Sequence, residues 1–195
     1  FLFEVLESGG PCRPLSGGGC QITSLTLDRS AAAAVTLSSS PSGSGDLYHV
    51  DLASGAASRL TECNRDYLEE HAPAGLEKFS VRRQDLELEC RLWCPPGFDP
   101  KARYPLVLDI HGGPNGAFYD SFSAMQQVLA TSGYLVLAVN PRGSSTYGDE
   151  FMMAVLGDWG GEDYLDLMSA LDEVAARPYV DAARLGVHGY SYGGF

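Results

Sequence analysis

A chain of 195 residues that is 45% hydrophobic and 19% charged has ordinary globular composition, which excludes disorder along its whole length. A formal net charge of −12 argues against a nucleic-acid partner, because phosphate binding needs clustered Lys and Arg. No apolar run approaches the roughly 20 residues that cross a bilayer, so no membrane segment is expected.

The N-terminus, Phe1-Leu2-Phe3, lacks an initiator Met, a basic segment and a signal-like core. With Phe195 at the other end, the sequence reads as a fragment of a longer protein. Cys12, Cys20, Cys63, Cys90 and Cys94 are odd in number, and their spacings fit no zinc or redox pattern. Free thiols in a reducing, cytoplasmic compartment are expected, with no metal and no cofactor.

Residues 1–72 read as all-β. Strands are expected at 22–27, 32–37, 46–52 and 57–60. Turns fall at Asp28-Arg29-Ser30 and Ala53-Ser54-Gly55, with a longer loop at Pro41-Ser42-Gly43-Ser44-Gly45. Short strands at this spacing fit a β-propeller blade, a sandwich or a small barrel. Residues 64–76 are polar, include Pro73 and Gly75, and read as a linker.

A hairpin follows, pairing 79–83 with 86–93. Leu86, Leu88, Cys90 and Leu92 alternate there with charged residues, which predicts a half-exposed antiparallel edge. From Tyr104 the pattern becomes α/β. Residues 106–110, apolar apart from Asp109, and 134–139 read as apolar runs, as in strands buried on both faces. Between them Phe122, Met125, Val128 and Leu129 recur at helical spacing, with Gly133 as a C-terminal cap. A second helix is expected at 162–176, with Tyr164, Leu167, Met168, Leu171 and Val174 on one stripe and Arg177-Pro178 ending it. A third strand at 185–188 completes a strand–helix–strand–helix–strand order, which means a parallel sheet with right-handed crossovers.

Directly after that strand comes Gly189-Tyr190-Ser191-Tyr192-Gly193-Gly194, a G-x-S-x-G motif in the setting a nucleophile elbow requires. Such a turn is too tight for side chains two positions before and after the serine, hence Gly189 and Gly193, with Gly194 supporting the same turn. The helix expected after it presents N–H groups and a positive dipole end to a developing anion. His111-Gly112-Gly113-Pro114 follows the first buried strand, where this fold places its second oxyanion donor. We assign the oxyanion hole to the N–H groups of Gly113 and Tyr192, with His111 and Gly112 shaping the loop. Of the four histidines, His49 and His71 precede this region, His111 sits in the loop and His188 in the strand. None is a good triad base. The triad order in this fold is Ser, then Asp or Glu, then His, so the acid and base are expected beyond Ser191 and outside this chain.

These blocks together resemble the prolyl oligopeptidase family of serine peptidases, nearest its acylaminoacyl-peptidase and dipeptidyl-peptidase-like branch. The resemblance is carried by Ser40-Pro41, Leu47-Tyr48 and Leu60-Thr61, then by Pro95-Pro96-Gly97-Phe98, Tyr104-Pro105-Leu106-Val107 and the His111 block. Asn140-Pro141-Arg142-Gly143-Ser144, Gly157-Asp158-Trp159-Gly160, Pro178-Tyr179-Val180-Asp181 and the serine motif complete it. It implies a partial β-propeller over residues 1–72 and the N-terminal half of an α/β-hydrolase domain over 73–195. It further implies that Ser191 is acylated by short peptide substrates, which a propeller admits while folded proteins stay out. One departure is the hairpin turn, where Gln84-Asp85 stands without the glycine usual in relatives. Arg142 is expected to pair with an acid of its own domain. Asp158 and Trp159 are expected to pack and hydrogen-bond beneath the site, and the rings of Tyr190 and Tyr192 to pack beside it. An esterase or lipase of the same fold is an alternative, as is a non-catalytic propeller module joined to a hydrolase remnant.

Overall fold

The computed structural model describes residues 2–16 and 18–195. They form two compact units. One runs to Ala72 and includes Tyr119–Ser123; the other comprises Pro73–Phe118 and Ala124–Phe195.

In the first unit a two-residue ribbon, β1 (Phe3–Glu4) with β2 (Arg13–Pro14), precedes an antiparallel meander. The meander runs β3 (Gln21–Leu27), β4 (Ala33–Ser40), β5 (Gly43–Asp51) and β6 (Ala57–Arg59), each pairing with the next. Its turns are fixed by short acidic side chains. Asp28 Oδ1 accepts from the N–H groups of Ala32 at 2.8 Å and Ala33 at 3.0 Å, holding Ala31 at a φ of 52°. Asp51 does the same for the next turn, accepting from Ser54 N at 2.7 Å and Ser54 Oγ at 2.6 Å. The expected long loop at 41–45 is shorter in the structure. Ser40 pairs with Gly43, so only Pro41 and Ser42 make the turn. The stretch expected to be a plain linker contains a short helix, α1 (Arg65–Glu70), and the next strand starts inside it. Ala34, Thr36 and Ser38 of β4 are buried, whereas Val35 and Leu37 on its other face are exposed.

The second unit is a five-stranded mixed sheet. Its elements are β7 (Gly75–Arg83), β8 (Leu86–Cys94), β9 (Tyr104–Ile110), α2 (Ala124–Thr131), β10 (Leu135–Asn140), α3 (Asp149–Met153), α4 (Glu162–Ala175) and β11 (Val180–Gly189). The strand order is β11-β9-β10-β8-β7. β9, β10 and β11 are parallel, while β8 pairs antiparallel to both β10 and β7. The sheet is therefore not wholly parallel, and β8 is not an edge. Its second pairing, with β10, explains why Leu88, Cys90, Leu92 and Trp93 are all buried.

The core lies on both faces of these central strands. On one face Leu88, Cys90, Leu92, Leu106, Leu108, Leu135, Leu137 and Val139 pack with Leu167, Ala170 and Val174 of α4. On the other, Trp93, Val136 and Ala138 pack with Ala74 and Ala130. Each fully buried Leu or Val of this kind contributes about 1.5–3 kcal/mol. The two helices depart from their expected stripes. α2 starts at Ala124 and buries Gln126, Gln127 and Ala130, while Met125 and Val128 face solvent. The reason is polar: Gln127 Oε1 accepts from the buried Ala74 N–H at 2.8 Å, and Gln126 Nε2 donates to Asp109 at 2.9 Å. On α4, Tyr164 is exposed and the inward positions carry Asp163 and Asp166 beside the apolar residues.

Candidate active site

The parallel pair β9 and β11 positions the site. Gly189 is in register with Ile110, so both strands end at one level. The loop beginning at His111 and the turn carrying Ser191 therefore emerge side by side at the carboxyl ends of adjacent parallel strands, where open α/β sheets place ligand sites.

Ser191 opens a one-turn 3-10 helix, Ser191–Gly194, immediately beyond β11. Its φ is 58°, in the left-handed region that costs a non-glycine residue of order 1–3 kcal/mol. The surrounding glycines make that bend possible. A Cβ on Gly189 would lie 1.9 Å from Gly193 O, and one on Gly193 would lie 2.2 Å from Ile110 O. Gly194 has ordinary van der Waals space, so this position shows no steric need for glycine. The hydroxyl-bearing residue is exposed, as is Tyr190, at 82%. The ring of Tyr190 thus does not pack. Tyr192 does, edge-on to Trp159 with ring centroids 5.3 Å apart and stacked on Phe195. Trp159 is itself 54% exposed, so it lies beside the site and not beneath it.

The companion loop approaches closely. A Cβ on Gly112 would meet Tyr190 O at 3.3 Å, Ser191 Cβ at 3.4 Å and Ser191 Oγ at 4.0 Å. Gly113 has a φ of 138° and its peptide bond to Pro114 is cis. His111 is partly buried, with Nδ1 2.8 Å from Gly112 O and Nε2 2.9 Å from Ser144 Oγ. Burial pulls its pKa below the usual 6.5, against the opposing pull of the Gly112 carbonyl and Asp109. Two more bonds join this loop to the one after β10. Asn115 Nδ2 donates to Gly143 O at 3.0 Å, and Ser145 N donates to Gly116 O at 3.0 Å. Neither Asn115 nor Ser144 was singled out from sequence; the block Asn140 to Ser144 carried the only signal.

Both histidines near the serine are engaged elsewhere. His111 uses both ring nitrogens, and His188 Nδ1 sits 2.8 Å from the carboxylate of Asp109. Arg142 makes the intradomain pair expected of it. Nε and Nη2 donate to the two oxygens of buried Asp166 at 2.8 and 2.9 Å, and its backbone N–H adds a third bond at 3.0 Å. Arg83 reaches the same carboxylate at 2.8 Å. Asp158 accepts from Glu162 N at 2.9 Å and so caps the start of α4. All five cysteines are free, and burial raises the Cys90 thiol to about 12 and Cys94 to about 11, which leaves both unreactive. Among the described residues no His, Cys, Asp and Glu cluster could hold a metal ion, and no helix is long and apolar enough to cross a membrane.

Comparison with known proteins gives this geometry a family. Residues 120–195 match the model of the prolyl oligopeptidase family. An uncharacterized peptidase of Bacillus subtilis, YuxL, is 41% identical over 157 residues, covering 80% of this chain and 24% of its own length. Dipeptidyl-peptidase 5 of Porphyromonas gingivalis is 35% identical over 153 residues, covering 77% of this chain and 22% of its own. Among solved structures, an acylaminoacyl peptidase in complex with Z-Gly-Gly-Phe-chloromethyl ketone superposes with a TM-score of 0.87 at 29% identity, over 95% of this chain and 29% of its own. The chain spans about a quarter of the length of the relatives it matches. With motif order, strand register and these three likenesses in agreement, the chain belongs to the prolyl oligopeptidase family.

Proposed function

We propose that this chain carries the nucleophile of a serine peptidase that cleaves short peptides through an acyl-enzyme on Ser191. On this reading residues 73–195 are the N-terminal half of an α/β-hydrolase domain, and the meander before them belongs to a β-propeller. One observation carries the proposal: a serine at positive φ on a bend that only glycines permit, with the Gly112 backbone in contact with it. The names of the relatives, all peptidases, set the substrate class.

In the proposed reaction Ser191 Oγ attacks the scissile carbonyl carbon. The N–H groups of Gly113 and Tyr192 receive the oxyanion, and each such donor is worth about 3–4 kcal/mol of transition-state stabilisation. Collapse of the tetrahedral intermediate expels the amine and leaves an ester on Ser191, which water hydrolyses. Because His111 and His188 are both engaged, the proton acceptor is assigned to a histidine outside this chain, following the Ser, acid, His order of the fold. The full-length protein treated with a fluorophosphonate probe should be modified at Ser191, and Ser191→Ala should abolish both labelling and peptide hydrolysis. Modification at any other residue refutes the assignment. The 195 residues alone should turn over about 10⁶-fold more slowly than the full-length protein, the usual effect of losing the base.

A further inference from the structure

We propose that Ser144 is a positioning residue for the oxyanion loop, acting through the tautomer of His111; this rests on the serine-peptidase reading above. Ser144 is fully buried in the loop after β10. Its Oγ lies 2.7 Å from Pro141 O and 2.9 Å from His111 Nε2. On the far side of the ring, Nδ1 lies 2.8 Å from Gly112 O. Phe118 stands edge-on to the same ring at 5.3 Å and limits its rotation.

The hydrogens can be counted. A carbonyl oxygen only accepts, so the contact with Gly112 requires the hydrogen to be on Nδ1. Burial keeps the ring neutral at pH 7, so Nε2 then has no hydrogen and must accept. Among the described residues Ser144 is the one group bonded to Nε2, and its hydroxyl supplies that hydrogen in a three-centre bond shared with Pro141 O. The Ser144 hydroxyl thus selects the Nδ1–H form. The Nε2–H form would aim two lone pairs at each other across the 2.8 Å between Nδ1 and Gly112 O.

The consequence falls on the peptide that matters. Gly112 O is the carbonyl of the Gly112–Gly113 peptide, whose N–H is the proposed oxyanion donor. That peptide plane has glycine on both sides and so little intrinsic preference of its own. The bond from His111 to its oxygen fixes the plane, and with it the direction of the Gly113 N–H. The neighbouring bonds, from Asn115 to Gly143 O and from Ser145 N to Gly116 O, hold the loop further along and do not touch this peptide.

The test is a cycle of Ser144→Ala, His111→Ala and the double variant in the full-length protein, with peptide hydrolysis and fluorophosphonate labelling as readouts. Ser144→Ala should lower kcat by about tenfold to a hundredfold, the scale of a misplaced catalytic group, with KM within about twofold. Labelling at Ser191 should slow by a similar factor. In the His111→Ala background the same substitution should change kcat less than about twofold, because the hydroxyl acts through the ring. Nitrogen-15 shifts of labelled histidine should show Nδ1–H for His111 in the unsubstituted protein and a shift toward Nε2–H in Ser144→Ala. Additive losses, or a loss confined to KM, would overturn the proposal, as would an Nε2–H ring in the unsubstituted protein. Ser144→Cys keeps the volume with a weaker donor and should fall between; if neither variant folds, Ser144 is a core residue and the proposal fails. If Ser191 of the unsubstituted protein is not labelled, the reading underneath fails and takes this one with it.

Discussion

Each of the two units is stabilised internally by different means. In the meander, turns are tied by Asp28 and Asp51, and the end of β6 and the segment after it are tied back by Asp46, which accepts from Arg59, Thr61 Oγ1 at 2.8 Å and Cys63 N at 3.0 Å. One face of β4 leaves Val35 and Leu37 exposed. In the mixed sheet both faces of β8 and β10 are covered, and apolar burial dominates. The lesson is that local polar ties shape the first unit, whereas non-local packing shapes the second and sets the carboxyl ends of β9 and β11 where the serine stands.

The sharpest way to break that comparison is to remove one acid from each unit. Asp166 is fully buried and holds both Arg142 and Arg83, so Asp166→Ala takes the two-pronged partner from the buried Arg142 guanidinium, while half-buried Arg83 keeps Glu162 at 2.7 Å, and should cost about 3–5 kcal/mol. Asp46→Ala should cost less, because Arg59 keeps access to water and Glu62 lies 3.7 Å away. In urea unfolding, tryptophan fluorescence reports the second unit, since Trp93 and Trp159 both lie there, and hydrogen exchange of the β4 and β5 amides reports the first. Equal losses would contradict the distinction. The apolar counterpart is Leu137→Ala against Leu37→Ala. The first leaves a cavity in the covered sheet and should cost about 2–5 kcal/mol, while the second, on the exposed face of β4, should stay within about 1 kcal/mol.

Acid sharpens the contrast further, because carboxylates of lowered pKa occur in both units, Asp28 and Asp46 in the first and Glu162 and Asp181 in the second, while His111 adds an earlier titration to the second. Burial lowers the His111 pKa below 6.5, so the folded state favours the neutral ring. That contribution is present above pH 6.5 and is lost as pH falls through the depressed value. In the meander Asp28 and Asp46 fall to about 2 from the usual 3.8. Asp28 does so chiefly through the Ala33 N–H. For Asp46, burial opposes the shift and is outweighed by Cys63, Arg59 and Thr61. Their contribution is intact above about pH 4 and disappears between 4 and 2. Stability read by fluorescence should therefore begin to decline at a higher pH than the hydrogen-exchange protection of the β4 and β5 amides in the meander. A single shared acid transition would merge the two units.

What was legible in the sequence follows the same division. The elbow was legible because its geometry is local: Gly189 and Gly193 flank the serine within a few residues, and steric exclusion leaves no substitute. The buried strand β10 was legible from its apolar run and β9 from Leu106-Val107-Leu108, which Asp109 interrupts before Ile110. The inward face of α2 was not, since Gln126 and Gln127 are satisfied by Asp109 and Ala74, 17 and 53 residues away. A periodicity argument counts such glutamines as outward. The contact behind the role proposed for Ser144 was hidden for the same reason, its partner His111 lying 33 residues upstream.

The hairpin turn between β7 and β8 gives the finest test of local against non-local control. The structure holds Gln84 there at a φ of 54°, a conformation that glycine adopts without strain. Non-local bonds compensate: Gln84 Nε2 donates to Glu162 Oε2 at 2.9 Å, and its Oε1 accepts from Arg142 Nη2 at 3.1 Å. Gln84→Gly relieves about 1–2 kcal/mol of left-handed strain and forfeits two bonds of about 0.5–1.5 kcal/mol each, so the two effects nearly cancel. Gln84→Ala keeps the strain and loses the same bonds. The alanine variant should therefore be less stable than the glycine variant by about 1 kcal/mol, while the glycine variant stays near the unsubstituted protein. If alanine and glycine prove equal in urea unfolding, the strain is absent and the bonds to Glu162 and Arg142 alone decide the residue at this turn.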